Sequence, residues 1–123
     1  GLDFYGGAVE YLITVQKPDG DARCQLRLPG VSATCVAVHV NGETMPIPWA
    51  PFEADITDML EEGDNQVAVE VIGGRKNILG PLHTAWIEWT GPGSFDPNSD
   101  AWRKDYYLTD HGLMEPVVIE KLR

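Results

Sequence analysis

Apolar and polar residues alternate with a period of two along most of this chain. In residues 66–72, Val67, Val69 and Val71 alternate with Ala68 and Glu70. Successive side chains of a β-strand point to opposite faces, so this pattern predicts strands with one buried face. The same reasoning, supported by β-branched and aromatic residues, predicts strands at residues 9–15, 23–28, 34–40, 66–72, 84–89, 106–108 and 116–122.

Turn-forming residues separate these segments. Asn41-Gly42 is the strongest short hairpin signal. Three prolines in residues 45–51 predict an extended, irregular loop. Residues 55–63 form the only segment suited to a helical turn, with Gly63 placed to end it. Many short strands without long helices disfavour a parallel α/β sheet and predict an all-β fold, a jelly-roll-like β-sandwich.

Length and charge narrow the choice of partners. With 123 residues, we expect a single domain over residues 1–123. The net charge of -10, from 19 acidic and 9 basic residues, repels phosphate backbones and anionic membranes. The sequence contains no run of 18 apolar residues, which a membrane-spanning helix would require. We therefore expect no nucleic acid and no membrane as partners. Because the chain does not begin with Met, we expect a piece of a larger protein.

The two cysteines fall on different strand faces. Alternation places Cys24 with Leu26 and Leu28, whereas Cys35 lies opposite Val36 and its apolar neighbours. A disulfide between Cys24 and Cys35 stays open at this point. The alternative is two free thiols, which behave as small, buried or half-buried apolar groups.

Three motifs in order resemble one known family. Val-Asn-Gly at 40–42, Asp-Ile-Thr at 55–57 and Gly-Asp-Asn at 63–65 precede the valine strand of residues 66–72. Residues 4–72 thereby resemble the galactose-binding-like β-sandwich of the β-galactosidase and β-glucuronidase superfamily. The run Asn-Ile-Leu-Gly-Pro-Leu-His, which begins at Asn77, resembles terminal domains of rhamnosidase-like glycoside hydrolases.

The resemblance implies an accessory role. In such parents the catalytic acids belong to a separate barrel domain, so this chain is expected to hold no catalytic residues. It would bind carbohydrate weakly or pack against the catalytic domain of its parent. A purely structural or interaction sandwich is the alternative, and a small self-contained glycosidase is a remote one. The resemblance also implies a bacterial, secreted or periplasmic setting.

Carbohydrate binding requires aromatic platforms and planar polar groups. Trp49 lies in the proline-rich loop and Trp102 follows an Asp-rich loop, so both are candidate platforms. Asn77 and His83 flank a Gly-Pro corner and are candidate hydrogen-bonding groups. Packing within the domain or against another domain is the alternative for each tryptophan, and stabilising the corner is the alternative for Asn77 and His83.

A calcium site is the remaining chemical candidate. Asp96, Asn98 and Asp100 place oxygen ligands at alternate positions, as calcium loops do. Ala101 and Tyr107 stand where an EF-hand has glycine and glutamate, so this is not an EF-hand. A structural calcium ion, or an ordinary solvated turn, remain the two interpretations. No other cofactor or metal is expected.

Overall fold

A computed structural model describes residues 2–20, 22–84 and 90–122 of the chain. It contains two compact units. The sandwich unit comprises Gly7–Gly73 and His111–Arg123, and the loop unit comprises Gly1–Gly6 and Gly74–Asp110. The single domain over residues 1–123 stays a prediction.

The sandwich unit is built from short antiparallel strands. Its strands are β1 (Ala8–Gln16), β2 (Arg23–Arg27), β3 (Val31–Ser32), β4 (Cys35–Val40), β5 (Glu43–Ile47), β6 (Glu53–Asp55), β7 (Asp64–Ile72), β8 (Gly112–Leu113) and β9 (Val118–Leu122). A four-stranded sheet has the order β1-β7-β4-β5, a three-stranded sheet has the order β6-β2-β9, and β3 pairs with β8.

Alternating valines build the core of this unit. Val36, Val38 and Val40 of β4 lie directly opposite Val71, Val69 and Val67 of β7, and all six are buried. They form one cluster with buried side chains of the second sheet, including Leu26. Burying a side chain of this size contributes roughly 1.5–3 kcal/mol. The predicted all-β sandwich is therefore confirmed, and its jelly-roll and galactose-binding type stays a prediction.

The Asn-Gly hairpin joins β4 to β5. Asn41 and Gly42 have φ values of 50° and 86°, and Val40 pairs with Glu43 across the two-residue turn. This is the left-handed backbone that asparagine and glycine tolerate best. Asn41 also has a second role, because its side-chain amide donates to the backbone carbonyl of Met59 and to the side-chain oxygen Oδ1 of Asn65.

Asn65 is the polar centre of the sandwich unit. Its side chain is 1% exposed. The Oδ1 atom accepts hydrogen bonds from Asn41 and from the backbone N–H of Glu61, at 2.7 and 2.8 Å. The Nδ2 atom donates to backbone carbonyls of Val15, Glu61 and Gly63. A buried amide is stable only when its hydrogen bonds are made, and these bonds tie the turn before β7 to β1.

Three local predictions were wrong. Residues 45–51 do not form one irregular loop, because β5 (Glu43–Ile47) contains Pro46. Pro46 pairs with Ala37. Because β5 is an edge strand of its sheet, one side of it has no neighbouring strand, and a residue without a backbone N–H is tolerated there. Residues 106–108 form no strand, and residues 55–63 are not the only helical segment. Short helical turns occur at Thr57–Met59, Lys76–Leu79 and Pro92–Phe95.

Both cysteines are free thiols, which answers the question left open by the sequence. Cys24 is fully buried with Leu26, and Cys35 is half-buried at the start of β4. The strand faces are those that alternation predicts. Burial raises the pKa of the Cys24 thiol, so it behaves as an apolar core group.

The loop unit is organised differently. Its described part holds the four-residue helix α1 (Lys76–Leu79), one 3₁₀ turn (Pro92–Phe95) and an isolated bridge between Thr84 and Trp102. The buried residues there are Asn77, Pro81 and Thr84, so no large apolar side chain is buried in the described part. The strand predicted at residues 84–89, with Trp86 and Trp89, lies outside the described residues after Thr84.

Candidate functional site

Trp49 lies in the connection between β5 and β6 and is 75% exposed. It is the most exposed of the large apolar side chains described. A solvent-facing indole has a free π-face, which is what an aromatic platform requires. Its role in carbohydrate binding stays a prediction.

Trp102 and His83 are brought together in the loop unit. Their rings are stacked, with centroids 4.9 Å apart and an interplanar angle of 23°. The ring centroids of Tyr106 and His83 are 4.8 Å apart, and Phe4 meets Tyr106 edge-on with centroids 5.4 Å apart. We call Phe4, His83, Trp102 and Tyr106 the ring stack. It forms an aromatic cluster in the described part of this unit.

Backbone hydrogen bonds hold His83 in the stack. Arg103 N–H donates to the carbonyl of His83 at 2.7 Å, and Tyr107 N–H donates to that of Leu82 at 2.6 Å. His83 Nδ1 lies 3.0 Å from the carbonyl oxygen of Arg103. A carbonyl oxygen only accepts hydrogen bonds, so Nδ1 carries the hydrogen of this bond. The imidazole is thereby fixed in orientation and tautomer.

A small depression of about 180 Å³ adjoins the ring stack. His83, Trp102 and Phe95 contribute its rings, and Ser94 contributes a hydroxyl. That hydroxyl accepts a hydrogen bond from the N–H of Gly91, at 3.3 Å. The volume is below the roughly 300–1,000 Å³ of typical ligand pockets.

Asn77 is used by the fold of the loop unit. It is 8% exposed, and its Nδ2 donates to the carbonyl of Thr109 at 2.9 Å. Its Oδ1 accepts from both the backbone N–H and the hydroxyl of Thr109. This reciprocal pairing ties α1 to the segment before Asp110. A role of Asn77 in carbohydrate binding stays a prediction.

The Asp-rich loop forms a local turn. Asp96 Oδ1 accepts hydrogen bonds from the backbone N–H and the side-chain amide of Asn98, at 2.9 and 3.0 Å. A carboxylate bonded to the backbone two residues later is an Asx turn. Within residues 2–20, 22–84 and 90–122, no group of three or more His, Cys, Asp or Glu side chains is arranged to hold a metal. A calcium ion at Asp96, Asn98 and Asp100 remains a prediction.

A larger concavity lies in the sandwich unit. It has a volume of about 430 Å³, which is within the range of ligand pockets. Its walls come from the segment around β2 and β3 and from the β5–β6 connection, which also carries Trp49. The lining residues are Arg27, Leu28, Pro29, Val31, Ala50, Pro51, Phe52 and Glu53.

Arg27 is the charged centre of this concavity. Its Nε donates to Glu53 at 2.9 Å and its Nη1 donates to Glu120 at 2.7 Å. Arg27 and Glu53 are cross-strand partners on β2 and β6, and Glu120 is on β9, so one guanidinium links three strands. The hydrogen bond to Glu120, followed by the one to Glu53, raises the pKa of Arg27.

Arg27 and Glu53 were absent from the candidate residues of the sequence analysis. Arg27 is one of several outward-facing polar residues on β2, as Arg23 and Gln25 are. Only the pairing of β2 with β6 and β9 separates it from them. Spacing along the chain gives no signal for this site, because Glu53 and Glu120 belong to other strands.

Comparison with known proteins gives relatives in structure only. No family model and no curated protein matches this chain. The match to the rhamnosidase of Novosphingobium sp. PP1Y covers 94% of this chain and 11% of the rhamnosidase chain, with 24% identity and a TM-score of 0.64. The match to the β-glucuronidase of Bifidobacterium dentium, solved with coumarin-3-O-glucuronide, covers 98% of this chain and 22% of the glucuronidase chain, with 21% identity and a TM-score of 0.59. The match to the β-D-glucuronidase of Dictyoglomus thermophilum also covers 98% of this chain and 22% of the glucuronidase chain, with 21% identity and a TM-score of 0.56.

These three proteins are glycoside hydrolases, and the chain spans 11% to 22% of their lengths. The TM-scores of 0.56 to 0.64 show a shared fold, and at identities below 25% they show the fold alone. The all-β fold of this chain is thus the fold of one part of larger glycoside hydrolase chains. Separately, none of the described helices is long and apolar enough to cross a membrane.

Proposed function

We propose that this chain is a non-catalytic accessory domain of a larger glycoside hydrolase. Its loop unit packs against the catalytic domain of the same parent chain. The structural neighbours support the first part, because each is a glycoside hydrolase in which the matched part is a small share of the chain. A parent that degrades extracellular glycans acts outside the cytoplasm, so we also propose a secreted or periplasmic setting.

The distribution of apolar side chains carries the packing proposal. Eight of the thirteen large apolar side chains exposed in the described residues belong to the loop unit, which is about a third of the chain. Scattered exposed apolar residues are ordinary, but a concentration of them marks an interaction surface. The eight are Leu2, Phe4, Tyr5, Ile78, Leu79, Phe95, Tyr106 and Tyr107.

Hydrogen exchange tests this proposal. The isolated chain and the complete polypeptide encoded by its reading frame would be compared by mass spectrometry. Amides of residues 74–84 and 90–110 should exchange more slowly in the complete polypeptide, because docking excludes water and reduces local opening. Amides of β7 serve as the internal control and should be protected alike in both. Equal exchange of the loop unit in the two samples would contradict the packing proposal.

Enzyme assays test the non-catalytic part. The isolated chain should release no nitrophenol from p-nitrophenyl rhamnoside, glucuronide or galactoside. The complete polypeptide should hydrolyse one such substrate. Turnover by the isolated chain, at a rate that survives repurification, would show that this chain is itself a glycosidase.

Carbohydrate binding is the second function that we propose. The observation in its favour is the exposed indole of Trp49, carried by the same connection that lines the 430 Å³ concavity. Sugars present apolar C–H faces and hydroxyl edges, which suit an aromatic or proline surface beside charged groups. Affinity electrophoresis through polysaccharide gels tests this function, and retardation by a polysaccharide would establish it.

A further inference from the structure

The concavity around Arg27 combines two kinds of surface. Pro29, Val31, Pro51 and Phe52 supply apolar walls, and Arg27 and Glu53 supply charged groups. The ring of Phe52 is half-buried, so it is held in place and still partly accessible. Most small-ligand sites have this composition, with predominantly apolar walls and a few fixed polar groups.

The polar groups are fixed by their own bonds. Glu53 accepts from Arg27 Nε, and Glu120 holds Arg27 Nη1, so the guanidinium cannot rotate freely. In the described residues, Arg27 Nη2 makes no hydrogen bond. Its two N–H groups and the second carboxylate oxygen of Glu53 are therefore available to a ligand. A donor beside an acceptor at fixed spacing suits neighbouring hydroxyls on a ring.

Charge decides which saccharides fit. One guanidinium is shared between two carboxylates, Glu53 and Glu120, so the local charge is negative. The whole chain also carries a net charge of -10. Uronates and other anionic sugars are repelled by such a site, whereas uncharged hydroxyl groups are not.

We propose that this concavity is a binding site for a neutral saccharide. Glu53 and Arg27 hydrogen-bond its hydroxyls, and Phe52 and Pro51 contact its apolar face. Trp49, the exposed neighbour of the lining residue Ala50, offers a further aromatic surface. This proposal rests on the carbohydrate-binding function proposed above and locates it in the sandwich unit. It assigns roles to Arg27, Glu53 and Phe52.

The test is affinity electrophoresis of the chain through gels that contain β-1,4-galactan, xyloglucan, arabinan or polygalacturonate. We expect retardation by at least one of the three neutral polymers and none by polygalacturonate. Glu53→Ala removes a charged hydrogen-bond acceptor and should weaken the affinity at least about tenfold. Glu43→Ala makes the same change on exposed strand β5, outside the concavity, and should leave the affinity unchanged.

A second pair of variants tests the rim. Trp49→Ala should weaken retardation, and Leu12→Ala, which removes another side chain that is 70% exposed, should not. Both positions are exposed, so loss of folding does not explain a difference, and thermal unfolding of each variant verifies this.

The outcomes separate this site from the general function. If Glu53→Ala and Trp49→Ala bind as the wild type does and Trp102→Ala does not, carbohydrate binding stands and this site is wrong. Retardation by polygalacturonate alone overturns the neutral-sugar assignment. If no polymer retards the folded chain, the carbohydrate-binding function and this site are both wrong.

Discussion

The two units of this chain are stabilised in different ways. Apart from prolines, all sixteen apolar side chains that are buried in the described residues belong to the sandwich unit. In the described part of the loop unit the buried residues are Asn77, Pro81 and Thr84, and the aromatic rings stack while partly exposed. The sandwich unit thus has an extensive apolar core, whereas the described part of the loop unit is held by hydrogen bonds and ring contacts. Four predictions test this difference, from the largest expected effect to the smallest.

Leu26→Ala should have the largest effect on stability. Leu26 is fully buried between the sheets of the sandwich unit, and its truncation should lower the free energy of unfolding by about 3 kcal/mol. Leu79→Ala is the matched change in the loop unit, where Leu79 is 66% exposed, and should change it by less than about 0.5 kcal/mol. Urea denaturation of both variants gives the comparison. Similar losses would mean that the loop unit also relies on apolar burial.

The two buried asparagines provide a second comparison. Asn65→Ala leaves buried partners unpaired at Asn41, Glu61 and several carbonyls, and should cost about 2–3 kcal/mol in global stability. Asn77→Ala removes only the pairing with Thr109, and should cost about 1–2 kcal/mol.

Hydrogen exchange shows which residues lose protection in each of the two variants. In Asn65→Ala we expect faster exchange throughout β1 and β7, because the hydrogen bonds that tie the turn before β7 to β1 are lost. In Asn77→Ala we expect faster exchange confined to the loop unit. A global loss in Asn77→Ala would show that the loop unit unfolds together with the sandwich unit.

His111 is an exception within the well-packed sandwich unit. Both of its ring nitrogens are buried, and neither has a hydrogen-bond partner in the described residues. The ring occupies the space above Gly73, where a Cβ would meet imidazole atoms at 2.2–2.7 Å. A buried polar atom without a partner destabilises the folded state, so His111→Phe should raise the free energy of unfolding by about 1 kcal/mol.

His111→Ala is the control for ring packing and should be less stable than the wild type, because it leaves a cavity beside Gly73. Thermal unfolding of the two variants separates the effect of the nitrogens from that of the ring. A loss in His111→Phe as large as in His111→Ala would mean that the imidazole nitrogens are satisfied in solution.

How far the sequence predicts the structure also differs between the units. The valines of β4 and β7 are recognisable because a period of two has one physical cause, burial of one strand face. Strand β5 was missed because a proline normally interrupts pairing, and its place at the sheet edge is a tertiary fact. The site around Arg27 was missed for the same reason, since Glu53 and Glu120 reach it only after strands pair.

In the loop unit the local signal was misleading. Tyr106 and its neighbours have the composition of a strand, but the ring of Tyr106 packs against His83 and Phe4, and no strand forms. Ring contacts between residues distant in sequence have no period. The proximity of His83 and Trp102 therefore could not be derived from spacing, although both were candidates for the same site.

The smallest predicted effect concerns acid stability. Asp55 accepts hydrogen bonds from the hydroxyl and the backbone N–H of Thr57, and it pairs with Arg23. These contacts, the Thr57 hydroxyl first and then Arg23, lower the pKa of Asp55 to about 2. A lowered pKa means that the ionised form stabilises the fold. This contribution is complete above the unfolded pKa of about 4 and is lost as the pH falls through about 2.

Thr57→Val removes the hydroxyl from Asp55 and also the acceptor that it offers to the N–H of Cys24, at 2.7 Å. The pKa of Asp55 should rise toward its usual value, and stability at neutral pH should fall by about 1 kcal/mol, since the carboxylate is partly exposed. Part of this difference from the wild type should disappear between pH 4 and pH 2, in urea titrations at each pH.

Thr109→Val, which changes a hydroxyl in the loop unit, should show no such pH dependence. If the difference between Thr57→Val and the wild type stays constant down to pH 2, the hydroxyl does not stabilise the Asp55 carboxylate, and the acid sensitivity assigned to the sandwich unit is wrong.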